Sequence, residues 1–322
     1  MTLDQLRYAL ELQRTKSFSK AAESSHITQP SLSVQIQKLE DELGLVLFDR
    51  ARTGVETTEY GEEILKQARV ILDESARLQQ LAQDLKGEVR GSFRLGVIAT
   101  LAPSLLPLFI SKFGKDYPGV ELSIIEDRTE GLVHMIDAGK IDGAILSTPS
   151  RCPESLVEKV LFYEPFVVFA GKNHPILENK RITTSQISAD EILLLDDTHC
   201  LRDQVLQLCK LRQSSSDHKL RIQSASLQTL IELIRNGAGY TLLPSLSAQL
   251  LDANERNKNT RALEKPVPSR KVSLVFHKAR LKRSIVEALK ETIIASLPDS
   301  VFLTSSGQNL RILSPGSEHF EL

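Results

Sequence analysis

Apolar residues near the N-terminus recur at the spacing of three helices. Two short helices are predicted between Leu3 and Ile27, with the Ser19 hydroxyl group capping the second. A third is predicted to begin at Thr28, because a proline two residues later costs no hydrogen bond in a first helical turn. Gly44 is expected to end this helix in a left-handed conformation. Its buried stripe recurs at spacings of four, three and four residues and consists of Leu32, Ile36, Leu39 and Leu43.

A basic loop and a long helix follow this three-helix unit. Arg50 and Arg52 lie in a loop whose flanking residues suit a two-stranded wing. From Thr58 to Leu85 the apolar positions alternate spacings of four and three residues, which is typical of a helix paired with another helix. We therefore expect a dimerisation helix here. Its predicted seam consists of Ile64, Ala68, Ile71, Ser75, Leu78, Ala82 and Leu85.

After Gly87 the pattern changes to alternating strands and helices. Buried strands are predicted at 93–98, 120–125, 143–146, 166–169, 192–195 and 272–276, with amphipathic helices at 105–113, 132–138, 201–211 and 227–235. This alternation predicts an α/β domain with a mostly parallel sheet. The residues from Pro298 to Leu322 show no clear period and are predicted to form a loose tail.

Composition limits the classes of protein that fit these elements. The chain has 322 residues, of which 41% are hydrophobic and 25% charged, as in ordinary soluble proteins of two or three domains. It contains no apolar run of the roughly 18 residues that a membrane span needs, and charged residues in the first helix argue against a signal peptide. We therefore expect a cytoplasmic protein without a membrane partner. The net charge of −1 gives no sign of nucleic acid binding, so a DNA-binding surface would need local segregation of charge.

The outer face of the third helix has the chemistry of a DNA reader. Short hydrogen-bonding side chains off its buried stripe suit base edges in the major groove, and nearby basic groups suit phosphates. Several segments resemble the LysR-type transcription regulators closely, and the resemblance extends to about residue 297. The segments are Phe18–Glu23, Thr28–Ser33, Gln35–Gly44 and Leu47–Arg50.

This resemblance implies an α+β multi-domain fold. A winged helix-turn-helix would occupy residues 1–58, with Thr28–Leu43 as recognition helix, and a linker helix residues 59–88. A two-lobed α/β effector domain like a periplasmic binding protein would occupy residues 89–297, followed by a tail at 298–322. The implied partners are double-stranded operator DNA, further copies of the chain in a homodimer or homotetramer, and RNA polymerase. The implied DNA-binding residues are Ser19, Lys20, Thr28, Gln29, Pro30, Ser31, Ser33, Gln35, Lys38, Arg50 and Arg52.

One motif in the second half has redox chemistry. Cys200 stands at the predicted start of a helix, and Cys209 lies nine residues later. Helix amides, His199 and Arg202 are expected to favour the Cys200 thiolate, which is the form that attacks a peroxide oxygen. Within one helix the two cysteines would face opposite sides about 13 Å apart, whereas a disulfide needs Cα atoms within about 7 Å. Either the two never pair, or their pairing changes the conformation.

The motif Asp197–Gln204 resembles the peroxide-sensing members of the LysR family, as do Gly96–Thr100 and Glu126–Thr129. This resemblance implies that Cys200 reacts with hydrogen peroxide and that Cys209 resolves the product as a reversible disulfide. It also implies promoters of peroxide-defence genes as targets and cellular thiols as reductants. The residues implied around the peroxide are Thr100, Thr129, His199, Arg202, Asp203 and Arg270.

Other interpretations of the second half stay open. A regulator whose lobes bind a small organic effector would leave the cysteines incidental. A thiol peroxidase would use the same sulfur chemistry, although its catalysis needs no DNA reader. A zinc site of His199, Cys200 and Cys209 lacks a fourth ligand and a CxxC spacing. We therefore expect a regulator rather than an enzyme, with no metal and no cofactor, and we expect Cys152 to be an ordinary buried thiol.

Overall fold

The computed structural model describes residues 1–51, 54–85, 88–147, 153–188, 191–196, 199–209 and 226–314. The chain divides into two compact units, Met1–Leu85 and Lys86–Leu322. Arg52 and Cys152 lie outside the described residues, as do the side chains of Arg50, Leu85 and Cys209. In the part of the chain that is described, no helix combines the length and the apolarity that a membrane crossing needs.

The N-terminal unit begins with three helices and a hairpin. The helices are α1 (Leu3–Thr15), α2 (Phe18–Ser24) and α3 (Gln29–Leu43), and strands β1 (Phe48–Ala51) and β2 (Gly54–Thr57) pair antiparallel. The Thr28 hydroxyl accepts a hydrogen bond from the amide of Ser31, and Gly44 ends α3 at a φ of 67°. The predicted stripe of α3 packs into the core of this unit.

The cap of α2 differs from the prediction. Ser17, not Ser19, is the N-cap, and its hydroxyl accepts a hydrogen bond from the amide of Lys20. Ser17 has the extended backbone of a cap residue, at a φ of −153° and a ψ of 122°, whereas Ser19 already lies within the helix. The Ser19 side chain is thereby left on the exposed surface.

The long helix α4 (Glu59–Leu85) has two different halves. In its first half Leu65 and Ala68 are buried against the three-helix core, and Ile64 and Ile71 pack beside them. In its second half the apolar side chains face solvent, with Leu78 69% exposed and Leu81 52% exposed. The first part of the predicted apolar repeat therefore packs in the core of the N-terminal unit. The second part, around Leu78 and Leu81, is exposed.

The C-terminal unit is a mixed sheet flanked by helices. Its strands are β3 (Gly91–Ile98), β4 (Val120–Asp127), β5 (Gly143–Ser147), β6 (Leu156–Ala170), β7 (Arg181–Ile182), β8 (Tyr240–Pro244), β9 (Thr260–Leu263), β10 (Val267–His277) and β11 (Leu310–Leu313). Its α-helices are α5 (Ala102–Asp116), α6 (Thr129–Asp137), α7 (Cys200–Cys209), α8 (Leu227–Arg235), α9 (Ser245–Gln249), α10 (Ala253–Asn259) and α11 (Arg283–Ala295). The strand order is β4-β3-β5-β10-β6-β9-β7, with β11 beside β10 and β8 beside β6.

The sheet is less parallel than predicted. β3 runs parallel to β4 and β5, but β10 runs antiparallel to β5 and β6, and β6 antiparallel to β8 and β9. The predicted strand at 166–169 is the second half of the long strand β6. The predicted strand at 192–195 is reduced to a single bridge between Ile192 and Tyr240. Short apolar runs predict burial well, but they do not fix the direction or length of strand pairing.

Two apolar cores divide this unit into two lobes, and β6 contributes to both. Leu161 and Phe162 of β6 lie in the first core, with residues of α5, α6 and α11, whereas Phe166 and Phe169 lie in the second. Helix α7 begins where the two cores meet. Its first residue, Cys200, belongs to the first core, whereas its later apolar residues belong to the second.

The segment expected to be a loose tail is built into the sheet as far as it is described. Phe302 forms backbone hydrogen bonds in both directions with Tyr163, and β11 pairs in parallel with β10. Leu313 at the end of β11 is 1% exposed. A strand of four residues is too short to show a period, and its burial depends on partners distant in sequence.

Candidate functional site

The outer surface of α2 and α3 presents polar side chains to solvent. The exposed members of the predicted DNA-binding set are Ser19, Lys20, Thr28, Gln29, Pro30, Ser31 and Lys38, whereas Ser33 and Gln35 are half-buried. The Ser19 hydroxyl donates to Gln29 Oε1 across 3.1 Å, which links α2 to the first turn of α3. Gln35 Oε1 accepts a hydrogen bond from Gln5 Nε2 at 3.1 Å, which orients the Gln35 side chain.

This arrangement can present hydrogen-bonding groups to a surface without rearrangement. The exposed serine, threonine and glutamine groups cluster around the first turn of α3, where free helix amides favour contact with phosphate. The wing strand β1 includes the backbone of Arg50, while Arg52 lies outside the described residues. The described surface therefore suits a helix that enters the major groove.

A second cluster of polar residues lies inside the C-terminal unit, at the carboxyl ends of its parallel strands. Thr100 follows β3, Thr129 follows β4 as the first residue of α6, and Ser147 ends β5. Arg270 lies in β10 two residues before the position opposite Ser147, so it lies just beyond that end of β5. Strand ends of this kind form the ligand crevice of α/β folds.

Arg270 and Glu164 form a completely buried ion pair in this cluster. The side chains of both are 0% exposed, and Glu164 Oε2 accepts from Arg270 Nε at 2.9 Å and lies 2.8 Å from Nη2. The other oxygen of Glu164 accepts from the amide of Leu246 at 2.8 Å. Arg270 Nη1 also donates to the Thr100 hydroxyl at 3.2 Å. Because both carboxylate oxygens are engaged, the guanidinium group is fixed in position and keeps a donor directed at Thr100.

Cys200 is a buried free thiol that lies within the electrostatic influence of this fixed charge. Burial raises the pKa of the Cys200 thiol, and the charge of Asp203 adds to the rise. A hydrogen bond from the Thr129 hydroxyl and the positive charge of Arg270 act in the opposite direction and lower the pKa. The sequence-based expectation of a net lowered pKa is wrong, because it weighed neighbours along the chain and left out the desolvation of a side chain only 4% exposed.

The other predicted peroxide-site residues on or beside α7 do not all lie near Cys200. Asp203 is one turn beyond Cys200 and close enough for its charge to act on the sulfur. His199 is buried, with Nε2 3.9 Å from the Asp196 carboxylate. Arg202 is directed elsewhere, because a helix turns about 200° in two residues. It lines a small cleft with Leu194, Leu195, Leu201, Val205, Leu230, Thr241 and Leu242 on the side of the second lobe.

Two buried residues of the cluster were not predicted. Glu164 interrupts an otherwise apolar run, and a fully buried carboxylate indicates a buried cationic partner. Gln204 belongs to the quoted motif but had no assigned role. It is 0% exposed and its Nε2 donates to the Ser147 hydroxyl at 2.8 Å and to the backbone oxygen of Leu313 at 3.2 Å. Its spacing of four residues from Cys200 was the signal that both share one helix face.

The two cysteines of the motif occupy opposite ends of one helix. α7 begins at Cys200 and ends at Cys209 without interruption. Nine residues of α-helix rise about 13 Å, about twice the Cα separation that a disulfide tolerates. In this conformation the pair cannot be joined, which is the conflict that the sequence predicted.

Comparison with known protein families covers both units. The profile of the bacterial regulatory helix-turn-helix protein, lysR family, matches residues 3–62, and the profile of the LysR substrate binding domain matches residues 86–298. The chain belongs to the LysR family. It is therefore a DNA-binding transcription regulator with a helix-turn-helix domain and an α/β effector domain, and not an enzyme, as the sequence analysis predicted.

Relatives of this LysR regulator include activators of hydrogen peroxide-inducible genes. It is 34% identical over 296 residues to the hydrogen peroxide-inducible genes activator of Pectobacterium carotovorum, covering 91% of this chain and 96% of the relative. It is 33% identical over 300 residues to the DNA-binding transcriptional dual regulator OxyR of Escherichia coli, covering 92% and 96%. The resemblance to peroxide-sensing members of the family that the motif predicted is confirmed at the level of the whole sequence.

Solved structures give the same result. A full-length OxyR variant from Pseudomonas aeruginosa aligns with a TM-score of 0.74 at 31% identity, covering 92% of this chain and 99% of the other. A hydrogen peroxide-bound OxyR mutant from Corynebacterium glutamicum aligns with a TM-score of 0.61 at 30% identity, covering 92% of both chains. The LysR regulator described here therefore shares its multi-domain architecture with these proteins.

Proposed function

We propose that this LysR regulator is a cytoplasmic sensor of hydrogen peroxide that controls peroxide-defence genes through the oxidation state of Cys200. The observation that carries the proposal is the Cys200 sulfur, which accepts a hydrogen bond from Thr129 and feels the positive charge of Arg270. A buried structural cysteine needs neither partner. A sulfur that must pass through an anionic state benefits from both.

The chemistry starts with attack by the Cys200 sulfur on one oxygen of hydrogen peroxide. The S–O bond forms as the O–O bond breaks, so the thiol and peroxide give a sulfenic acid and one water, and the sulfur loses two electrons. The thiol proton leaves with the departing oxygen as part of that water. Arg270, held by Glu164, stabilises negative charge on the sulfur, and the Thr100 hydroxyl beside Arg270 can orient the peroxide.

The second step joins the two cysteines. The Cys209 thiol attacks the sulfenic sulfur, the S–S bond forms, and the sulfenic oxygen leaves as a second water. Because α7 separates the two residues by its full length, this step requires the helix to unwind. Two thiols of a cellular reductant return the pair to the dithiol and allow the helix to re-form.

The rearrangement of α7 can reach the DNA through the assembly of subunits. The uncovered apolar side chains of Leu78 and Leu81 on α4 suit pairing with a second copy, in a homodimer or homotetramer. A change in packing between effector domains would then alter the spacing of recognition helices on the operator and their presentation to RNA polymerase. The predicted DNA-binding residues, from Ser19 to Arg52, would contact that operator.

A near-stoichiometric peroxide pulse followed by peptide mass mapping tests this proposal. We expect a Cys200–Cys209 disulfide in the wild-type protein, a trapped Cys200 sulfenic acid in Cys209→Ser, and no oxidation of this pair in Cys200→Ser. The operator footprint should change with peroxide in the wild type and stay constant in Cys200→Ser. Wild-type protein that keeps both thiols while its footprint changes would refute the proposal and favour a different effector.

A further inference from the structure

The C-terminal strand β11 lies against the helix that the proposed function requires to unwind. This strand, Leu310–Leu313, begins beyond residue 298, where the match to the LysR effector domain ends. It pairs with β10 so that Leu313 lies opposite Arg270. Leu313 is also a member of the second core, to which Leu201, Val205 and Leu208 of α7 belong. The strand thus contacts both the buried charge beside Cys200 and the helix that starts there.

One hydrogen bond joins this strand to the middle of α7. Gln204 Nε2 donates to the backbone oxygen of Leu313 at 3.2 Å and to the Ser147 hydroxyl at 2.8 Å. All atoms of Gln204 are buried. A buried amide that loses its partners destabilises the protein, so separating Gln204 from Leu313 is unfavourable unless water or new partners replace the bond.

We infer that β11 holds α7 in its helical, reduced conformation, and that Gln204 and Leu313 are positioning residues which set the balance between the dithiol and the Cys200–Cys209 disulfide. The inference rests on the proposed function, because it concerns the disulfide step. Gln204 lies between the two cysteines, so unwinding the segment must displace it from Leu313. The strand therefore stabilises the dithiol state and makes the disulfide easier to reduce.

A matched pair of truncated proteins tests the role of the strand. The first protein comprises residues 1–309 and lacks β11. The control comprises residues 1–314 and keeps it. Each is equilibrated with glutathione redox buffers, and the fraction of Cys200–Cys209 disulfide is measured by acid-quenched alkylation and mass spectrometry. We expect loss of β11 to shift the equilibrium constant about tenfold toward the disulfide, which is about 30 mV in midpoint potential. The control should match the wild type.

The single variant Gln204→Met tests the hydrogen bond without removing the strand. Methionine keeps the volume and loses the donor, so the same equilibrium should shift toward the disulfide. Combined with the truncation at Asn309, it should add less than it does in the intact chain, because the bond between Gln204 and Leu313 is already absent there. Unchanged equilibria, or fully additive shifts, would overturn the inference. The dithiol–disulfide equilibrium compares two folded states, so a loss of stability that is common to both states does not shift it.

Failure of this inference is distinguishable from failure of the proposed function. If the wild type forms no Cys200–Cys209 disulfide under oxidising glutathione or peroxide, the proposed function fails, and this inference fails with it. If the wild type forms the disulfide while Gln204→Met and the truncation at Asn309 leave its equilibrium constant unchanged, only the role of β11 is refuted. If the truncated chain does not fold, the Gln204→Met equilibrium decides alone.

Discussion

The two polar regions of this molecule place their side chains in opposite environments. On α2 and α3, residues such as Gln29 and Ser31 are exposed and are held by short-range contacts within the helical unit. Around Cys200, the charged pair Arg270–Glu164 is excluded from solvent entirely. Exposed polar groups stay hydrated and have little effect on stability, whereas burying an ion pair carries a desolvation penalty that its mutual attraction must offset.

This difference fits the two proposed roles, an exposed surface that binds DNA and a buried site that reacts with peroxide. The polar side chains of α2 and α3 are held only by contacts with one another, such as the bond between Ser19 and Gln29, and their outer groups stay open to a partner. In the proposed function the substrate, hydrogen peroxide, is small and offers few contacts, so the protein itself would have to fix the charge and the hydrogen bonds around the sulfur. Substitutions in the exposed region should therefore alter binding alone, and substitutions in the buried region should alter stability and reactivity together.

The largest effect should come from breaking the buried ion pair. Glu164→Gln leaves Arg270 charged and buried without its counterion, and we expect a loss of about 3–5 kcal/mol in the free energy of unfolding. The matched control Asp116→Asn removes a carboxylate from the exposed pair with Lys112 and should cost less than about 1 kcal/mol. Urea unfolding of the full-length reduced proteins measures both. Equal losses of unfolding free energy in the two variants would contradict the predicted difference between buried and exposed charged groups.

A smaller effect is expected at the exposed recognition surface. Gln29→Ala should weaken operator binding by about 10- to 100-fold, corresponding to about 1–3 kcal/mol for one good base contact. Its unfolding free energy should change by less than about 0.5 kcal/mol, because the side chain is exposed. Gln67→Ala, on the exposed surface of α4, is the control with the same chemical change. Fluorescence anisotropy at fixed salt measures the affinity of each variant for the operator. Equal affinities of the two variants would count against Gln29 as a DNA-binding residue.

The smallest effect concerns the hydrogen bond to the sulfur. Thr129→Val removes a contact that lowers the pKa of Cys200, so the pKa should rise further above its ordinary value. Loss of about 1 kcal/mol of thiolate stabilisation should slow the reaction with peroxide about fivefold at neutral pH. Thr292→Val, whose hydroxyl bonds to Ala288 within α11, controls for the loss of a buried hydroxyl group in the same lobe.

The pH dependence of the same reaction has a defined sign. Only the thiolate reacts, so the rate should climb with pH until the pH passes the raised pKa of Cys200. In a Cys209→Ser background, stopped-flow rates should therefore still be rising at about pH 8.5, the ordinary value for a thiol. In Thr129→Val the reaction rate should continue to increase up to a higher pH. A plateau well below pH 8.5 would show that Arg270 and Thr129 outweigh burial.

The exposed region was largely predictable from the sequence because its determinants are local. The stripe of α3, the proline in its first turn and the glycine after Leu43 lie within sixteen residues, and they gave the helix almost to its ends. The cap of α2 was misplaced by two residues because Ser17 and Ser19 have the same chemistry and differ only in backbone conformation.

The buried region was predictable only in part because its contacts join distant segments. The motif around Cys200, together with Thr100, Thr129 and Arg270, was recognised by resemblance. Glu164, which lies 106 residues from Arg270 along the chain, was not. The tail strand β11 was likewise missed, because four residues without a period gain their order only from β10. Nearness in sequence also misled, since Arg202 belongs to the motif but lines a cleft on the side of the second lobe.

The central claim is that oxidation of Cys200 is converted into unwinding of α7. Hydrogen–deuterium exchange of the backbone amides from Leu201 to Cys209 measures this directly in the reduced and peroxide-treated full-length proteins. The account predicts slow exchange in the reduced protein and much faster exchange across this segment after oxidation, with reversal by dithiol reductant. Protein that contains the Cys200–Cys209 disulfide and yet retains the same slow exchange throughout α7 would contradict it.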